Sequence, residues 1–282
     1  MSGQPIYEFG GSGRVLHMAL ANGFPPLTYT PLLQPLTARY RVVSLPPRAL
    51  WPAPGAAPTE PGSWHELKAD LLAGVEQYGL DDVIAVGHSF GAVISMLAAI
   101  EQPQRFRALV MLDPAMPPQP AMEMMRAARA QGMMPRIPLV QQALARGHRF
   151  TDEQAAFTYW RGKPLFKDWT DDALWLYTRA MTRPADDGDG LQLSWPREWE
   201  AYYYMSMYTD SWDDLPRVRG LLPTLVLAGD ASDAFQPESA ALARELLPEA
   251  THVTISGGHL FPHSAPDATR AALETWLAEN GL

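Results

Sequence analysis

The residues with the clearest capacity for chemistry are a serine, a histidine and several aspartates that lie far apart in the chain. Ser89 stands within the run G-H-S-F-G at 87–91, and His259 follows two consecutive glycines. A serine hydroxyl is a weak nucleophile near neutral pH and needs a base to take its proton, while the base needs an acid that orients it. These residue types therefore predict nucleophilic attack on a carbonyl carbon.

The serine lies between a predicted strand and a predicted helix. Residues 83–86 form a short apolar run rich in β-branched side chains, which is typical of a buried strand. Residues 90–102 indicate an apolar helix that Pro103 ends. Ser89 would occupy a sharp turn whose following N–H groups open a helix, where negative charge on a substrate oxygen is stabilised.

This strand, serine and helix element resembles the nucleophile elbow of the α/β-hydrolase superfamily, and the resemblance extends along nearly the whole chain. It implies an α/β fold, a mostly parallel twisted sheet with helices on both faces. The family order is nucleophile, acid and histidine, and Ser89, Asp233 and His259 follow it. Each comes at the carboxyl end of a predicted strand, where ligands bind in open α/β sheets. We therefore expect these residues to form a catalytic triad.

Two candidate acids follow the strand predicted over residues 224–228. The G-x-x-D pattern that many relatives carry here would place the acid on Ser232, so this loop departs from the family by one residue. Asp233 is followed four positions later by Pro237, a spacing that many relatives share. For this reason Asp233 is preferred over Asp230.

A third candidate acid lies one strand earlier. Residues 108–112 predict a buried strand, and Asp113 follows it directly. Some relatives place the acid at this point, so Asp113 stays an alternative to the two later aspartates.

His259 is preferred over the other histidines as the base because it follows the last predicted strand, 252–255, and precedes the closing helix. His88 borders the serine, but a strained turn sends neighbouring side chains in different directions. It is therefore given no role.

Two backbone N–H groups are expected to bind the developing oxyanion. The strand predicted over residues 14–21 runs into Asn22, Gly23 and Phe24, where relatives commonly carry His-Gly, and the resemblance implies that Phe24 supplies one donor. Asn22 replaces the usual histidine. The donor is the backbone N–H of Phe24, so a different side chain at position 22 does not remove it. Phe90, directly after the serine, supplies the second donor.

Residues 115–212 differ in character from the rest of the chain. The segment lacks a convincing buried strand, contains nine of the 13 methionines and is rich in aromatic residues. Its place after a strand resembles the helical cap that many α/β-hydrolases insert above the serine. We therefore expect a core of residues 1–114 and 213–282 with an inserted cap of residues 115–212, which gives the site an apolar, adaptable ceiling.

Two further segments are a predicted scaffold helix and a proline-rich stretch whose role the sequence leaves open. Ser63 and Glu66 form a capping-box pattern that opens a predicted helix ending near Gly79. Residues 46–61 contain six prolines and predict a stiff, extended excursion near the mouth of the site.

Composition limits the classes of partner. With 282 residues and a formal charge of -9, the chain argues against nucleic acid or an anionic membrane as a partner. The absence of cysteine excludes disulfides, thiolate nucleophiles and sulfur-ligated metals. The first ten residues lack a basic region followed by an apolar stretch, so a cytoplasmic location is expected. The oligomeric state is left open.

The resemblance implies a serine hydrolase that cleaves carboxylic esters of small to medium, mainly apolar substrates through an acyl-enzyme on Ser89, with no cofactor and no metal. A cofactor-free perhydrolase, a lactonase and a C–C bond hydrolase would use the same triad. A non-catalytic binding protein could keep the fold and the triad without turnover. A serine at the elbow disfavours the haloalkane dehalogenase and epoxide hydrolase branches, which use aspartate there.

Overall fold

A mixed sheet of seven strands runs through the part of the chain that the computed structural model describes, residues 4–282. The prediction of a cytoplasmic location uses the first ten residues, and the first three of these lie outside the described range. The strands of the whole described chain are β1 (Tyr7–Gly10), β2 (Val15–Ala19), β3 (Arg41–Ser44), β4 (Val83–His88), β5 (Phe106–Leu112), β6 (Arg149–Phe150), β7 (Thr182–Pro184), β8 (Leu191–Leu193), β9 (Thr224–Gly229) and β10 (Thr251–Ile255).

The main sheet has the strand order β1-β3-β2-β4-β5-β9-β10. β1 pairs with β3 in antiparallel orientation, and the other neighbours are parallel. The central strands β4 and β9 are buried along their whole length, as expected of apolar strands covered on both faces. The predicted mostly parallel sheet with helices on both faces is confirmed.

The register of the central strands brings their carboxyl ends to one edge. His88 at the end of β4 pairs with Leu112 at the end of β5, and Leu112 pairs with Leu227 near the end of β9. The loops that follow β4, β5 and β9 therefore start side by side. These loops contain Ser89 and the candidate aspartates.

The helices cover the sheet and fill the long connection between β5 and β9. They are α1 (Thr30–Leu33), α2 (Trp64–Gln77), α3 (Phe90–Glu101), α4 (Gln119–Ala130), α5 (Pro138–Ala145), α6 (Glu153–Arg161), α7 (Asp171–Met181), α8 (Arg197–Met205), α9 (Ser211–Asp214), α10 (Pro237–Leu246), α11 (Phe261–Ser264) and α12 (Pro266–Glu279). The capping box predicted at Ser63 is present at the start of α2, with Glu66 as its second member.

The segment between β5 and β9 is mainly helical, as expected of residues 115–212. It carries α4 to α9 and a small antiparallel sheet of order β6-β8-β7. The sequence shows no convincing buried strand in this segment, and these three strands are mostly not buried. Strands of two or three residues are too short to show a hydrophobic period.

The proline-rich segment lies against α8. The N–H of Ala49 donates to the hydroxyl of Tyr203 (3.1 Å), and the indole of Trp199 donates to the carbonyl of Gly55 (3.1 Å). These contacts attach residues 46–61 to helix α8 of the predicted cap. The sequence alone left the role of this proline-rich segment open.

Across residues 4–282, no helix combines the length and the apolar character needed to cross a membrane.

Gly91 allows helix α3 to approach strand β2 of the sheet closely. A Cβ built on Gly91 would lie 2.4 Å from the carbonyl oxygen of Ala19 and 2.5 Å from that of Leu20. Backbone oxygens at the end of β2 cannot move away cheaply, so only glycine lets α3 begin here. The second position after the serine therefore requires a residue without a side chain.

We predict that Gly91→Ala lowers the free energy of unfolding by about 1–3 kcal/mol, since an extra methyl group would force the backbones apart. Urea unfolding measures the change. Gly162→Ala is the matched control, because its Cβ would meet its nearest atom at 3.6 Å, an ordinary contact. Equal stability of the two variants would contradict the close approach described here.

Candidate active site

Ser89 occupies a strained turn between β4 and α3. Its backbone has φ 58° and ψ -122°, a conformation that L residues rarely adopt. A Cβ on Gly87 would lie 2.4 Å from the carbonyl oxygen of Gly91, so both flanking positions need glycine. The residue is partly exposed. This conformation and its two glycines match the predicted elbow.

The side chains of Ser89, His259 and Asp113 form one hydrogen-bonded chain. Nε2 of His259 lies 2.9 Å from the hydroxyl of Ser89, and Nδ1 lies 2.6 Å from Oδ2 of Asp113. An ionised carboxylate only accepts hydrogen bonds, so Nδ1 carries the imidazole proton and Nε2 is left as an acceptor. The serine hydroxyl therefore donates to Nε2, the arrangement that general-base activation requires.

Asp113 is fully buried and receives further hydrogen bonds. The N–H of Gly229 donates to Oδ1 (2.8 Å), and the hydroxyl of Ser232 donates to Oδ2 (2.5 Å). The residue has a φ of 41°, a left-handed conformation that aspartate tolerates better than most residues. These donors compensate the carboxylate for the loss of water.

The structure brings a different acid to His259 than the one the sequence favoured, which corrects the preference for Asp233. Asp233 is exposed, and Ser232 is the residue of this loop that turns inward to Asp113. Asp230 is also exposed, and its carboxylate accepts the N–H of Gly257 at 2.8 Å. Asp230 thus holds the loop that carries the histidine.

A signal for Asp113 was present in the sequence. Ser232 stands where the family pattern would put the acid after β9, and a serine cannot carry that charge. The nearest aspartate at a neighbouring strand end is Asp113, directly after β5.

The two predicted oxyanion donors differ in their surroundings. Phe90 is the first residue of α3, and the first N–H groups of a helix have no acceptor within it. The N–H of Phe24 donates to the carbonyl of Ala21 at 3.2 Å within its own turn. A substrate oxygen at Phe24 would share this proton with Ala21.

An ion pair formed by two side chains of the connection between β5 and β9 lies against the loop of Asn22 and Gly23. The side chain of Asn22 donates to the backbone carbonyl of Glu200 at 2.9 Å, and the carboxylate of Glu200 pairs with Arg146. A Cβ on Gly23 would lie 3.4–3.5 Å from this pair. Asn22, which replaces the usual histidine, therefore links this loop to α8.

Arg146 also donates to the hydroxyl of Tyr177 at 2.9 Å. Burial alone would lower the pKa of Arg146, but Tyr177 and Glu200 outweigh it and raise the pKa above its usual value. The guanidinium therefore stays charged and its charge is matched by Glu200.

A cavity of about 590 Å³ opens beside this loop. Most of its wall is apolar or aromatic, with two cationic and two anionic side chains. The lining includes Asn22, Gly23, Phe24, Leu139, Arg146, Tyr159, Trp160, Lys163, Leu165, Phe166, Tyr177, Glu200, Tyr204 and Asp233. Phe24, the predicted oxyanion donor, is thus part of the cavity wall.

The ring of Phe24 packs against aromatic residues of the inserted segment. Its centroid lies 5.4 Å from that of Tyr177 and 6.2 Å from that of Trp169, and Trp169 stacks on His263 at 5.0 Å. These contacts join the loop of residues 22–24 to helix α7.

Three histidines are buried in the structure, and burial lowers their pKa values. Burial lowers the pKa of His17 and of His263 to about 3, and for His263 the charge of nearby His259 adds to the effect. Burial, followed by the charges of His259 and His263, lowers the pKa of His88 well below its usual value. All three rings are therefore neutral near pH 7.

Among residues 4–282, no group of three or more His, Cys, Asp and Glu side chains is arranged to hold a metal ion.

A comparison with known families gives a match over most of the chain. A family model described as alpha/beta hydrolase fold matches residues 22–266. A solved structure of E-2-(acetamidomethylene)succinate hydrolase superposes with a TM-score of 0.77 at 21% identity, covering 97% of this chain and 94% of that one. At this identity the likeness concerns the fold alone.

Curated relatives match over shorter segments. Epoxide hydrolase 2 of Siraitia grosvenorii is 33% identical over 113 residues, which cover 38% of this chain and 34% of that protein. A probable esterase of Oryza sativa subsp. japonica is 34% identical over 113 residues, covering 36% of this chain and 40% of that protein. The match thus spans between a third and two fifths of these relatives.

The buried histidines predict a loss of stability in acid. In the unfolded chain each takes up a proton near pH 6.5, whereas in the folded protein His17 and His263 do so only near pH 3. Their stabilising effect on the folded protein is fully present above pH 6.5. As the pH drops from 6.5 towards 3, each histidine lowers the free energy of unfolding by about 1.4 kcal/mol per pH unit.

Urea unfolding at pH 7, 6 and 5 measures this slope. In the variant His263→Asn the free energy of unfolding should change less steeply with pH, by the equivalent of one proton. The contributions of the other titratable groups should stay the same. An unchanged slope in His263→Asn would show that His263 titrates normally in the folded protein.

Proposed function

The chain belongs to the α/β-hydrolase family, and from this premise we propose that it is a serine hydrolase that cleaves carboxylic esters through an acyl-enzyme on Ser89. The observation that carries the proposal is the hydrogen-bonded chain from Ser89 through His259 to the buried carboxylate of Asp113. It supplies a nucleophile, a base and an orienting acid in the geometry that acyl transfer needs.

In the first half of the reaction the oxygen of Ser89 attacks the carbonyl carbon of the ester, and its proton passes to Nε2 of His259. Asp113 stabilises the imidazolium that forms. The N–H groups of Phe90 and Phe24 bind the oxyanion, with the hydrogen bond of Phe24 to Ala21 shared at that moment. Collapse of the intermediate breaks the C–O bond, and the alcohol leaves with the proton from Nε2.

In the second half a water molecule takes the place of the alcohol. His259 removes a proton from the water as its oxygen attacks the acyl carbon. The second tetrahedral intermediate releases the carboxylic acid and returns the proton to the oxygen of Ser89. The triad is then in its starting state, with no cofactor consumed.

The cavity beside residues 22–24 supports a preference for apolar substrates. Its aromatic and aliphatic wall offers contact area, and the charges of Arg146 and Glu200 cancel each other. Asp233 and Lys163, at the same cavity, are also opposite in charge. A substrate that brings an unmatched charge would lose hydration without gaining a partner. We therefore infer that residues 115–212 act as a cap whose inner wall selects neutral acyl or alcohol groups.

The residue at the nucleophile position favours ester over epoxide chemistry. The matched proteins carry names of both kinds, an epoxide hydrolase and a probable esterase. A serine in place of aspartate at the elbow gives an acyl-enzyme with a base already in contact, which favours acyl transfer to water.

The proposal is tested with a panel of p-nitrophenyl esters from acetate to decanoate. The wild-type protein should release p-nitrophenol with saturation kinetics, and Ser89→Ala should be inactive. Hydrolysis by Ser89→Ala at the wild-type rate would place the reaction elsewhere on the surface. Absence of turnover with every member of the panel would contradict esterase activity.

The choice of acid gives a sharper prediction. Asp113→Asn should reduce kcat by about ten-thousand-fold, because an amide stabilises the wrong tautomer of His259. Asp233→Asn is the matched control. His259 bonds to Asp113, and Asp233 lies exposed at the cavity wall, so kcat for a neutral ester should stay within about threefold of the wild type. A large loss in Asp233→Asn with a small one in Asp113→Asn would reverse the assignment.

The neutral wall of the cavity predicts discrimination between esters of equal size. The ratio kcat/KM should be at least about tenfold higher for p-nitrophenyl valerate than for the mono-p-nitrophenyl ester of succinate, whose carboxylate would be desolvated without a partner. Competition between the two esters in one reaction measures the ratio directly. Faster turnover of the anionic ester would contradict the neutral pairing of Arg146 with Glu200.

A further inference from the structure

A second chain of hydrogen bonds ends on the backbone of His259. The N–H of Ala21 donates to the hydroxyl of Tyr29 at 2.9 Å, and this hydroxyl lies 2.8 Å from Nδ1 of His88. Nε2 of His88 lies 3.0 Å from the backbone carbonyl oxygen of His259. The side chains of Tyr29 and His88 are fully buried.

The direction of each bond follows from the number of protons available. The backbone of Ala21 can only donate to Tyr29, so the single hydroxyl proton of Tyr29 is free to go to Nδ1 of His88. With Nδ1 as an acceptor, His88 carries its proton on Nε2. It therefore donates to the carbonyl oxygen of His259, which can only accept.

The surroundings keep His88 in this neutral form. Its burial, together with the nearby rings of His259 (5.1 Å) and His263 (5.6 Å), opposes a second proton. The ring of Tyr29 packs on His263 at 4.4 Å, which fixes the hydroxyl in place. One tautomer and one direction thus satisfy every polar atom of this chain.

The anchor points are the three segments that the proposed reaction must align. Ala21 directly precedes the loop of Asn22, Gly23 and Phe24. His88 directly precedes the nucleophile, and the carbonyl belongs to the base itself, His259. The hydrogen bonds therefore tie the loop of residues 22–24, the elbow and the loop that carries His259 to one another.

We propose that Tyr29 and His88 are positioning residues of the active site: their hydrogen bonds hold the loop of residues 22–24 and the backbone of His259 in register with Ser89. The proposal rests on the proposed function, because it assigns the alignment of that same triad. A packing role alone would affect the stability of the protein and leave the chemical step of the folded enzyme unchanged.

Tyr29→Phe tests this assignment with the loss of one oxygen atom. His88 would then be free to take its proton on Nδ1, and its bond to His259 would be lost. We expect kcat to fall by about 10- to 100-fold, the range of a slightly misplaced catalytic group, with KM changed by less than about threefold. Active-site titration corrects kcat for the folded fraction, and thermal unfolding reports stability separately.

Tyr203→Phe is the matched control. Tyr203 is 1% exposed, and its hydroxyl accepts the N–H of Ala49, so the substitution removes an equally buried acceptor of a backbone donor. It should lower the melting temperature by a similar amount and leave kcat within about twofold. Equal effects of the two substitutions on kcat would reduce Tyr29 to a packing residue and overturn the proposal.

Substitutions of His88 test the second half of the chain. Gln keeps a donor near the position of Nε2, whereas Leu keeps only the volume. His88→Gln should therefore retain at least about tenfold more activity than His88→Leu. The double variant Tyr29→Phe with His88→Leu should be no slower than His88→Leu alone, since both break the same chain. Additive losses would contradict a single connected chain.

A fluorophosphonate probe separates this proposal from the proposed function. Its rate of covalent attachment to Ser89, located by mass spectrometry, reports nucleophile alignment without any substrate. If the wild type reacts rapidly but hydrolyses no ester, the esterase proposal fails, and a slower reaction of Tyr29→Phe still supports the positioning role. Equal labelling rates of wild type and Tyr29→Phe would overturn the positioning role alone. A wild-type protein that does not react at Ser89 would overturn both.

Discussion

The structure of the site depends on one desolvated negative charge, the carboxylate of Asp113. A carboxylate without exposure to water must be matched by hydrogen bonds, and here the N–H of Gly229, the hydroxyl of Ser232 and Nδ1 of His259 provide them. The charge therefore fixes the tautomer of His259, and the tautomer determines that Nε2 faces the hydroxyl of Ser89. Without this charge the histidine could turn or carry its proton on Nε2, and Nε2 would no longer accept the hydrogen bond from Ser89.

The fold supplies this arrangement through the alignment of strand ends. The strained turn at Ser89 is tied to the loop after β5 by two backbone hydrogen bonds, from Ser89 to Leu112 (3.0 Å) and from Ala115 to Ser89 (3.1 Å). Glycines allow the close approach of α3 that the turn requires. The connection between β5 and β9 adds the ion pair of Arg146 and Glu200 against the loop of residues 22–24, which follows β2 at the edge where the parallel strands end.

The parts of this site that could be predicted from the sequence are those set by local pattern. An apolar strand, a serine between glycines and an apolar helix identify the elbow within a few residues, and a histidine after the last strand follows the same logic. The acid could not be chosen this way, because Asp113 and Asp233 both follow strands, and the choice depends on which loop turns its side chain inward across the sheet. The strands of two or three residues above the sheet also escaped prediction, since they are too short to show a period.

The most direct test of the account is the proton between Asp113 and His259. A proton NMR spectrum of the protein with ¹⁵N-labelled histidine should show a strongly downfield imidazole N–H signal, because the 2.6 Å hydrogen bond deshields the proton on Nδ1. The account predicts that this signal persists in Asp233→Asn and disappears in Asp113→Asn. A signal that disappears in Asp233→Asn and persists in Asp113→Asn would contradict it.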